Sequence, residues 1–371
     1  RMFRSIIYSQ ISIFLIWGFF QQVYAQDYPE VDLEFRTSFQ IQTQDAEYDA
    51  KTLKFDDGKE QTRLGFRLDR GNVNVRGGLG EAFSYRLRLS LDANLDESGH
   101  ADGTQSSLEY FFVEYRVGTD LDLKIGKQFV LQGGREGMNN GLDVYRYSIQ
   151  GERIQDLYEV GLGLIQEFRF RGNEVPQYGV LQLVNQPQGN GKSDQNLGYN
   201  AAWYGVLGSG LLEPTLQVGF FPKKSEKPVD SCSDLKCLVP EQLISAGTRL
   251  NFAEAYLDLD LIHGSYYGIS PANKSIEREA STVALEYRID PKTKPVQSPI
   301  PFAKWTYDMV SESRLNSAFL DYRNEISAGF EVYPTTDERL RIHALGAFQN
   351  WKVNAGAFNQ YLLNMGLSAR F

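Results

Sequence analysis

Residues 361–371 read Tyr-Leu-Leu-Asn-Met-Gly-Leu-Ser-Ala-Arg-Phe. Successive side chains of a strand point to opposite faces, so Tyr361, Leu363, Met365, Leu367, Ala369 and Phe371 share one face, and all are apolar. A final aromatic with nothing to cover it has no core to fill in a water-soluble sheet. It fits the closing strand of a barrel whose outer face meets lipid, where aromatic girdles sit near the interfaces. Bacterial barrels share such an ending, and Phe371 is expected to be what the barrel assembly machinery reads.

The same alternation recurs upstream. Leu33, Phe35, Phe39 and Ile41 oppose Glu34, Arg36, Ser38 and Gln40, and Tyr85, Leu87, Leu89 and Leu91 oppose Arg86, Arg88, Ser90 and Asp92. Phe111, Val113, Tyr115 and Val117 oppose Tyr110, Phe112, Glu114 and Arg116, and Val283, Leu285, Tyr287 and Ile289 oppose Thr282, Glu286 and Arg288. A soluble sandwich alternates too. The connections separate the two cases, because membrane barrels alternate short periplasmic turns with longer outer loops. Short links fall at 77–82, 119–120, 171–176, 209–213, 253–254, 291–299 and 334–338. Longer ones fall between them, at 43–61, 94–106, 131–157, 186–198, 222–241, 267–277, 311–320 and 350–357. The pattern predicts an all-β chain: a transmembrane antiparallel β-barrel of about sixteen strands, an even number as single-chain bacterial barrels have. Gly71 and Asn72 interrupt one long strand and predict a bulge there.

Composition agrees. The chain has 371 residues, 42% hydrophobic and 13% aromatic, with 23% charged. Its mean hydropathy of −0.38 excludes a helical membrane protein. It suits a barrel, in which only alternate strand residues meet lipid. Arg1 and Arg4, the apolar run Ile11–Phe20 and the sequence Val23-Tyr24-Ala25 form a signal-peptide pattern. A retained anchor is the rival reading, but the run is short for the roughly 20 apolar residues a spanning helix needs. Residues 1–25 are therefore expected to be a signal peptide and residues 26–371 the barrel domain. Lipid offers no hydrogen-bond partners, so a sheet can span it only by closing on itself. About sixteen strands enclose too wide a space to fill with side chains, and an aqueous channel is left.

Several stretches resemble the phosphate-selective porin O and P family. Residues 67–77 (Arg-Leu-Asp-Arg-Gly-Asn-Val-Asn-Val-Arg-Gly), running into Phe83-Ser84-Tyr85-Arg86-Leu87, resemble its basic strand. Phe112-Val113-Glu114-Tyr115 and Leu123-Lys124-Ile125-Gly126-Lys127-Gln128 resemble the strands before its long third loop. Residues 178–185 and 326–334 resemble a later strand and a hairpin near the end. The resemblance implies a sixteen-stranded barrel, a homotrimer, passive passage of small hydrophilic solutes or ions, anions such as phosphate among them, and a third outer loop folded inward. The chain departs from the family in charge. Its formal net charge is −9 and it shows no dense basic ladder.

The longest connection without a strand pattern, 131–157, is expected to narrow the pore. Its candidate constriction residues are Arg135, Glu136, Asn139, Asp143 and Arg146, whose opposed charges would set a field across the lumen. Arg36, Arg63, Arg67, Arg86, Arg88, Arg169 and Arg171 are candidates for a cationic wall, against the plainer reading of a solvated, ion-paired lumen. Cys232 and Cys237 are expected to form a disulfide that braces an outer loop. Gly189-Asn190-Gly191-Lys192-Ser193 has the look of a phosphate loop, but Gln186 stands where the pattern needs Gly, and no helical pattern follows. His100, His263 and His343 show no metal-ligand spacing. No cofactor and no metal are expected, and the acidic balance argues against nucleic acid. Two other readings remain. One is a surface receptor or adhesin with a plugged lumen. The other is a barrel hydrolase using His263 or His343.

Overall fold

The computed structural model describes residues 29–44, 48–49, 54–55, 61–91, 108–139, 144–154, 157–170, 175–185, 197–221, 239–269, 275–291, 294, 297–312, 320–335, 339–353 and 356–371. The expected signal peptide 1–25, Cys232, Cys237, residues 189–193 and His100 lie outside them.

Sixteen strands form one closed antiparallel barrel. In chain order they are β1 (Glu30–Gln44), β2 (Gln61–Gly78), β3 (Phe83–Ser90), β4 (Leu108–Arg116), β5 (Leu121–Phe129), β6 (Tyr158–Phe168), β7 (Gln177–Asn185) and β8 (Leu197–Gly205). The series continues with β9 (Leu212–Phe220), β10 (Val239–Asn251), β11 (Ala255–Ile269), β12 (Ser275–Ile289), β13 (Ile300–Glu312), β14 (Leu320–Val332), β15 (Leu340–Val353) and β16 (Gly356–Arg370). Each strand pairs with its neighbours in sequence, and β16 pairs with β1 to shut the cylinder. At the seam Leu33 and Phe371 exchange two backbone hydrogen bonds of 2.9 Å, and the Phe371 ring stacks on Phe35 at 5.7 Å. A separate two-residue ladder, Tyr48–Asp49 with Lys54–Phe55, lies in the first outer connection.

The faces are inverted relative to a soluble protein. Leu64, Phe66, Leu181, Ile326 and Leu363 point outward and are exposed, while Glu34, Asp260, Lys304, Asp308, Arg323 and Glu325 point inward and are buried. That is the arrangement lipid requires, with apolar groups outside and polar groups against a wet interior.

The expected bulge is present, two residues earlier than Gly71. In the β1–β2 ladder Thr37 pairs with Leu68 and Arg36 with Arg70, so Asp69 is the extra residue. Leu64, Phe66 and Leu68 face out before it, and Val73 and Val75 face out after it. The inserted residue reverses the parity of the strand and so moves Arg70 to the inner face.

The wall is uneven. Strands β3 to β9 have 8 to 11 residues, while β1, β2 and β10 to β16 have 13 to 18. A tilted strand of about 9–11 residues just crosses a bilayer, so the longer strands rise beyond it. This corrects one expectation. The outer connections read as long at 267–277 and 350–357 are mostly strand, and only residues 270–274 and 354–355 separate the flanking strands.

Candidate functional site

Residues 130–139 and 144–154 enter the barrel rather than cap it. The loop is pinched at its base, where Val130 N–H donates to the Leu157 carbonyl at 2.9 Å. Both residues are buried against Val184, Phe221, Leu243, Ile262 and Tyr266 of the inner wall. Inside, each loop N–H needs an acceptor, because an unpaired buried donor is costly. Consecutive wall strands supply them. Gln182 of β7 accepts from Leu131 N–H at 3.0 Å, and Asn200 of β8 bonds Gln132. Gln217 of β9 accepts from Gly134 N–H at 2.9 Å, and Ser245 of β10 from Gly133 N–H at 3.1 Å. Asp260 of β11 accepts from Arg135 and Glu136 N–H at 2.5 and 3.0 Å. Gly133 and Gly134 both have positive φ, 91° and 63°, and a Cβ on Gly134 would strike the Asp260 carboxylate. Glycine is what lets the backbone turn that close to the wall.

Two short helices follow, α1 (Gly134–Met138) and α2 (Ile149–Ile154). Glu136 on α1 accepts from Ser148 N–H and Oγ at 2.9 and 2.6 Å, and from Lys304 Nζ of β13. Asp308 accepts from Ile149 N–H at 3.1 Å. Between the helices, Tyr145 lies against Phe302 and His343, with ring centroids at 5.2 and 4.4 Å. The guanidiniums of Arg36, Arg288 and Arg341 surround its ring at 5.3 to 5.9 Å.

The expected constriction residues are therefore mostly occupied with the wall. Arg135 pairs with Glu213 at 2.9 Å, and Arg146 makes a bidentate pair with Glu325, both bonds 3.0 Å. Glu136 is tied to Lys304, and Asn139 accepts from Arg249 at 3.3 Å. Asp143 lies outside the described residues. The anticipated field between opposed loop charges is not what these contacts make. Of the described loop charges, Arg135, Glu136 and Arg146 pair with strands β9, β13 and β14.

A cavity of about 420 Å³ opens in the lumen between the loop and strands β2 to β8. On the loop side it meets Glu136–Asn139 and Tyr147, and on the wall Arg70, Arg86, Arg88 and Lys124. Of the expected basic wall, Arg86 and Arg88 line this cavity. Arg88 also bonds Glu34 at 3.2 Å and Asn74 at 2.6 Å, whereas no ion pair to a described carboxylate engages Arg86. Arg63 and Arg67 stand on the inner face of β2, with Arg67 donating to Gln40 at 3.2 Å. Arg36 is buried beneath the loop, donating to the Val144 carbonyl at 3.1 Å, and so serves the anchor instead of the lumen. Arg169 follows the last residue of β6, exposed and paired with Glu167 at 3.3 Å, beyond the wall it was assigned to. Arg171 lies outside the described residues.

Tyr147 of the expected constriction loop also lines the cavity, as do Arg70 and Lys124, which were not singled out from sequence. Arg70 was hidden by the Asp69 bulge. Lys124 was on the inward face of a short alternating stretch, and that was the available signal. His263 bonds Ser281 at 2.9 Å on the outer face of the wall, while His343 sits inside under Tyr145, bonded to Asn364 at 3.0 Å. The two histidines are thus on opposite sides of the sheet. Among the described residues no cluster of His, Cys, Asp and Glu could hold a metal ion.

Comparison with solved structures returns porins. An anion-selective porin from Comamonas acidovorans aligns with TM-score 0.56 at 13% identity, covering 93% of this chain and 100% of that one. The outer membrane channel DcaP of Acinetobacter baumannii aligns with TM-score 0.55 at 10% identity, covering 94% and 99%. OmpT of Vibrio cholerae aligns with TM-score 0.54 at 9% identity, covering 94% and 100%. At such identities these likenesses show the fold. No curated protein matches by sequence. The family model for phosphate-selective porin O and P matches residues 39–226, just over half of the 371. A closed sixteen-stranded cylinder, apolar outside and partly open within, carries that match, and the chain belongs to the phosphate-selective porin O and P family of outer-membrane channels.

Proposed function

We propose that this porin passes small hydrophilic anions by passive diffusion through the gap between the inward loop and the wall of β2 to β5. The charge of that gap carries the reading. Arg70, Arg86, Arg88 and Lys124 line it, and Glu136, already held by Lys304, is the one carboxylate among the lining residues. The overall charge of −9 does not oppose this, because charges outside the lumen are screened within about 10 Å at 0.1 M salt. Phosphate is among the candidate solutes by family, and the aligned Comamonas porin is described as anion-selective. The third loop, 131–157, is the constriction, a role supported by the lodging of its described residues inside the barrel.

Reversal potentials of the purified protein in a planar bilayer, under a KCl gradient, test the reading. Chloride preference is expected, and Arg86→Gln should reduce it. A cation preference in the unmodified channel would overturn it. The reading includes no enzymatic step. It includes a homotrimer, supported by the apolar residues exposed on the outer face of the short strands, such as Phe111, Ile125 and Leu164. Cross-linking of the protein in outer membranes tests that assembly. Residues 1–25 as a cleaved signal peptide are tested by sequencing the mature N-terminus.

A further inference from the structure

We propose that the solute favoured by this channel is an organic anion with a flat aromatic face, bound in passing on a track of rings beside the cationic wall. The inference rests on the anion reading above and narrows it. Inward positions of a porin wall are ordinarily polar. On the tall side the apolar inward residues, among them Leu243, Ile262, Tyr266 and Phe302, are buried beneath the loop. In the sector facing the open cavity, rings border open space instead. There β4, β6 and β8 present Tyr110, Phe112, Tyr158 and Tyr204 to the lumen, and the loop adds Tyr147 opposite.

Three of these rings form a connected series. Tyr110 lies 5.5 Å from Phe112 and 6.1 Å from Tyr158, centroid to centroid. Cations are interleaved with them. The Arg88 guanidinium lies 5.4 Å from the centre of Tyr110, and the Lys124 ammonium 4.3 Å from the centre of Phe112. Arg86 stands exposed in the same cavity.

Rings bordering water expose apolar faces that gain from a second ring at offset-stacking distance. Neighbouring cations draw the acidic end of the same solute. A bare phosphate would use the cations and leave the rings idle. A neutral sugar would use the rings and leave the cations idle, and Glu136 is already committed to Lys304 and Ser148. A ring bearing a carboxylate or phosphate uses both halves of the site. At about 420 Å³ the cavity has room for one such molecule and its water.

The test compares anions of equal charge on the full-length channel in a planar bilayer. Benzoate against acetate, terephthalate against succinate, and inorganic phosphate are added to one side, and block of the KCl current is read. The ring-bearing member of each pair is expected to reach half-block at a concentration at least tenfold lower. Tyr110→Leu combined with Tyr204→Leu should abolish that difference, whereas Tyr110→Phe with Tyr204→Phe should keep it. The heat-dependent shift in gel mobility that a closed barrel gives shows that each variant is folded. Equal block by benzoate and acetate in a chloride-preferring channel would overturn this inference alone. A ring preference that survives the leucine variant would also overturn it. Cation preference in the unmodified channel would overturn the anion reading, and this inference with it.

Discussion

Lys304→Met should loosen the inward loop, and the structure gives the size of the effect. The Lys304 ammonium donates to Glu136 and to the Arg146 carbonyl at 2.8 Å, and lies 3.9 Å from the Glu286 carboxylate. The Lys304 and Glu136 side chains are only 6% and 3% exposed. Removing the ammonium leaves Glu136 buried beside the carboxyl groups of Asp260 and Asp308. Truncating one partner of a buried pair costs about 3–5 kcal/mol. At about 1.4 kcal/mol per tenfold, loop opening should become more frequent by roughly two to three and a half orders of magnitude. Hydrogen exchange in nanodiscs reads this at the amides of Ser148 and Ile149, which bond Glu136 and Asp308 at 2.9 and 3.1 Å. Both should exchange faster by that factor, while strand amides stay protected. Adding Glu136→Gln should restore part of the protection, because the orphaned charge is gone. Native exchange in Lys304→Met, or a double variant no better protected than the single, would refute the reasoning.

Three further outcomes are expected. Deleting residues 134–145 should raise single-channel conductance severalfold, and an unchanged value would remove the loop from its role as constriction. Phe66→Lys places a charge on an outward position that is 87% exposed, and urea unfolding from liposomes should show a loss of about 2–4 kcal/mol if it lies near the midplane. Deleting Asp69 removes the parity switch of β2, so either Arg63 and Arg67 turn to lipid or Arg70, Asn72 and Asn74 do. Lower stability in the same assay is expected, and wild-type stability would show that the bulge is dispensable.

The barrel itself was readable because lipid imposes period two on every strand, and the alternation at residues 33–41, 84–92 and 361–371 survives without any context. Strand number followed from the spacing of turns. The height of the tall wall did not. Stretches such as Tyr267–Ile269 and Ser275–Glu277 look like loop in sequence, and only pairing with a neighbour makes them strand. Inward arginines were recognisable as inward, but not as lumenal or anchoring. Arg36 and Arg88 obey the same alternation, yet one lies under Tyr145 and the other beside the open gap. That distinction depends on where the loop lies, and the loop's position depends on acceptors scattered from Gln182 to Glu325. The ring track was missed for the same reason. Tyr110, Tyr158 and Tyr204 are far apart in the chain, and only closure of the sheet brings them round one cavity.

The loop's contacts also bear on the order in which the molecule can be completed. Arg146 grips Glu325, 179 residues ahead of it, and Arg36 holds the Val144 carbonyl from 108 residues behind. Neither grip exists until the staves carrying those partners stand in place. A half-built cylinder therefore offers its third loop Arg36, Gln182 and Asn200 but none of the partners from β9 onward. The clasp closes last, and its seating reports that the ring of staves around it is whole.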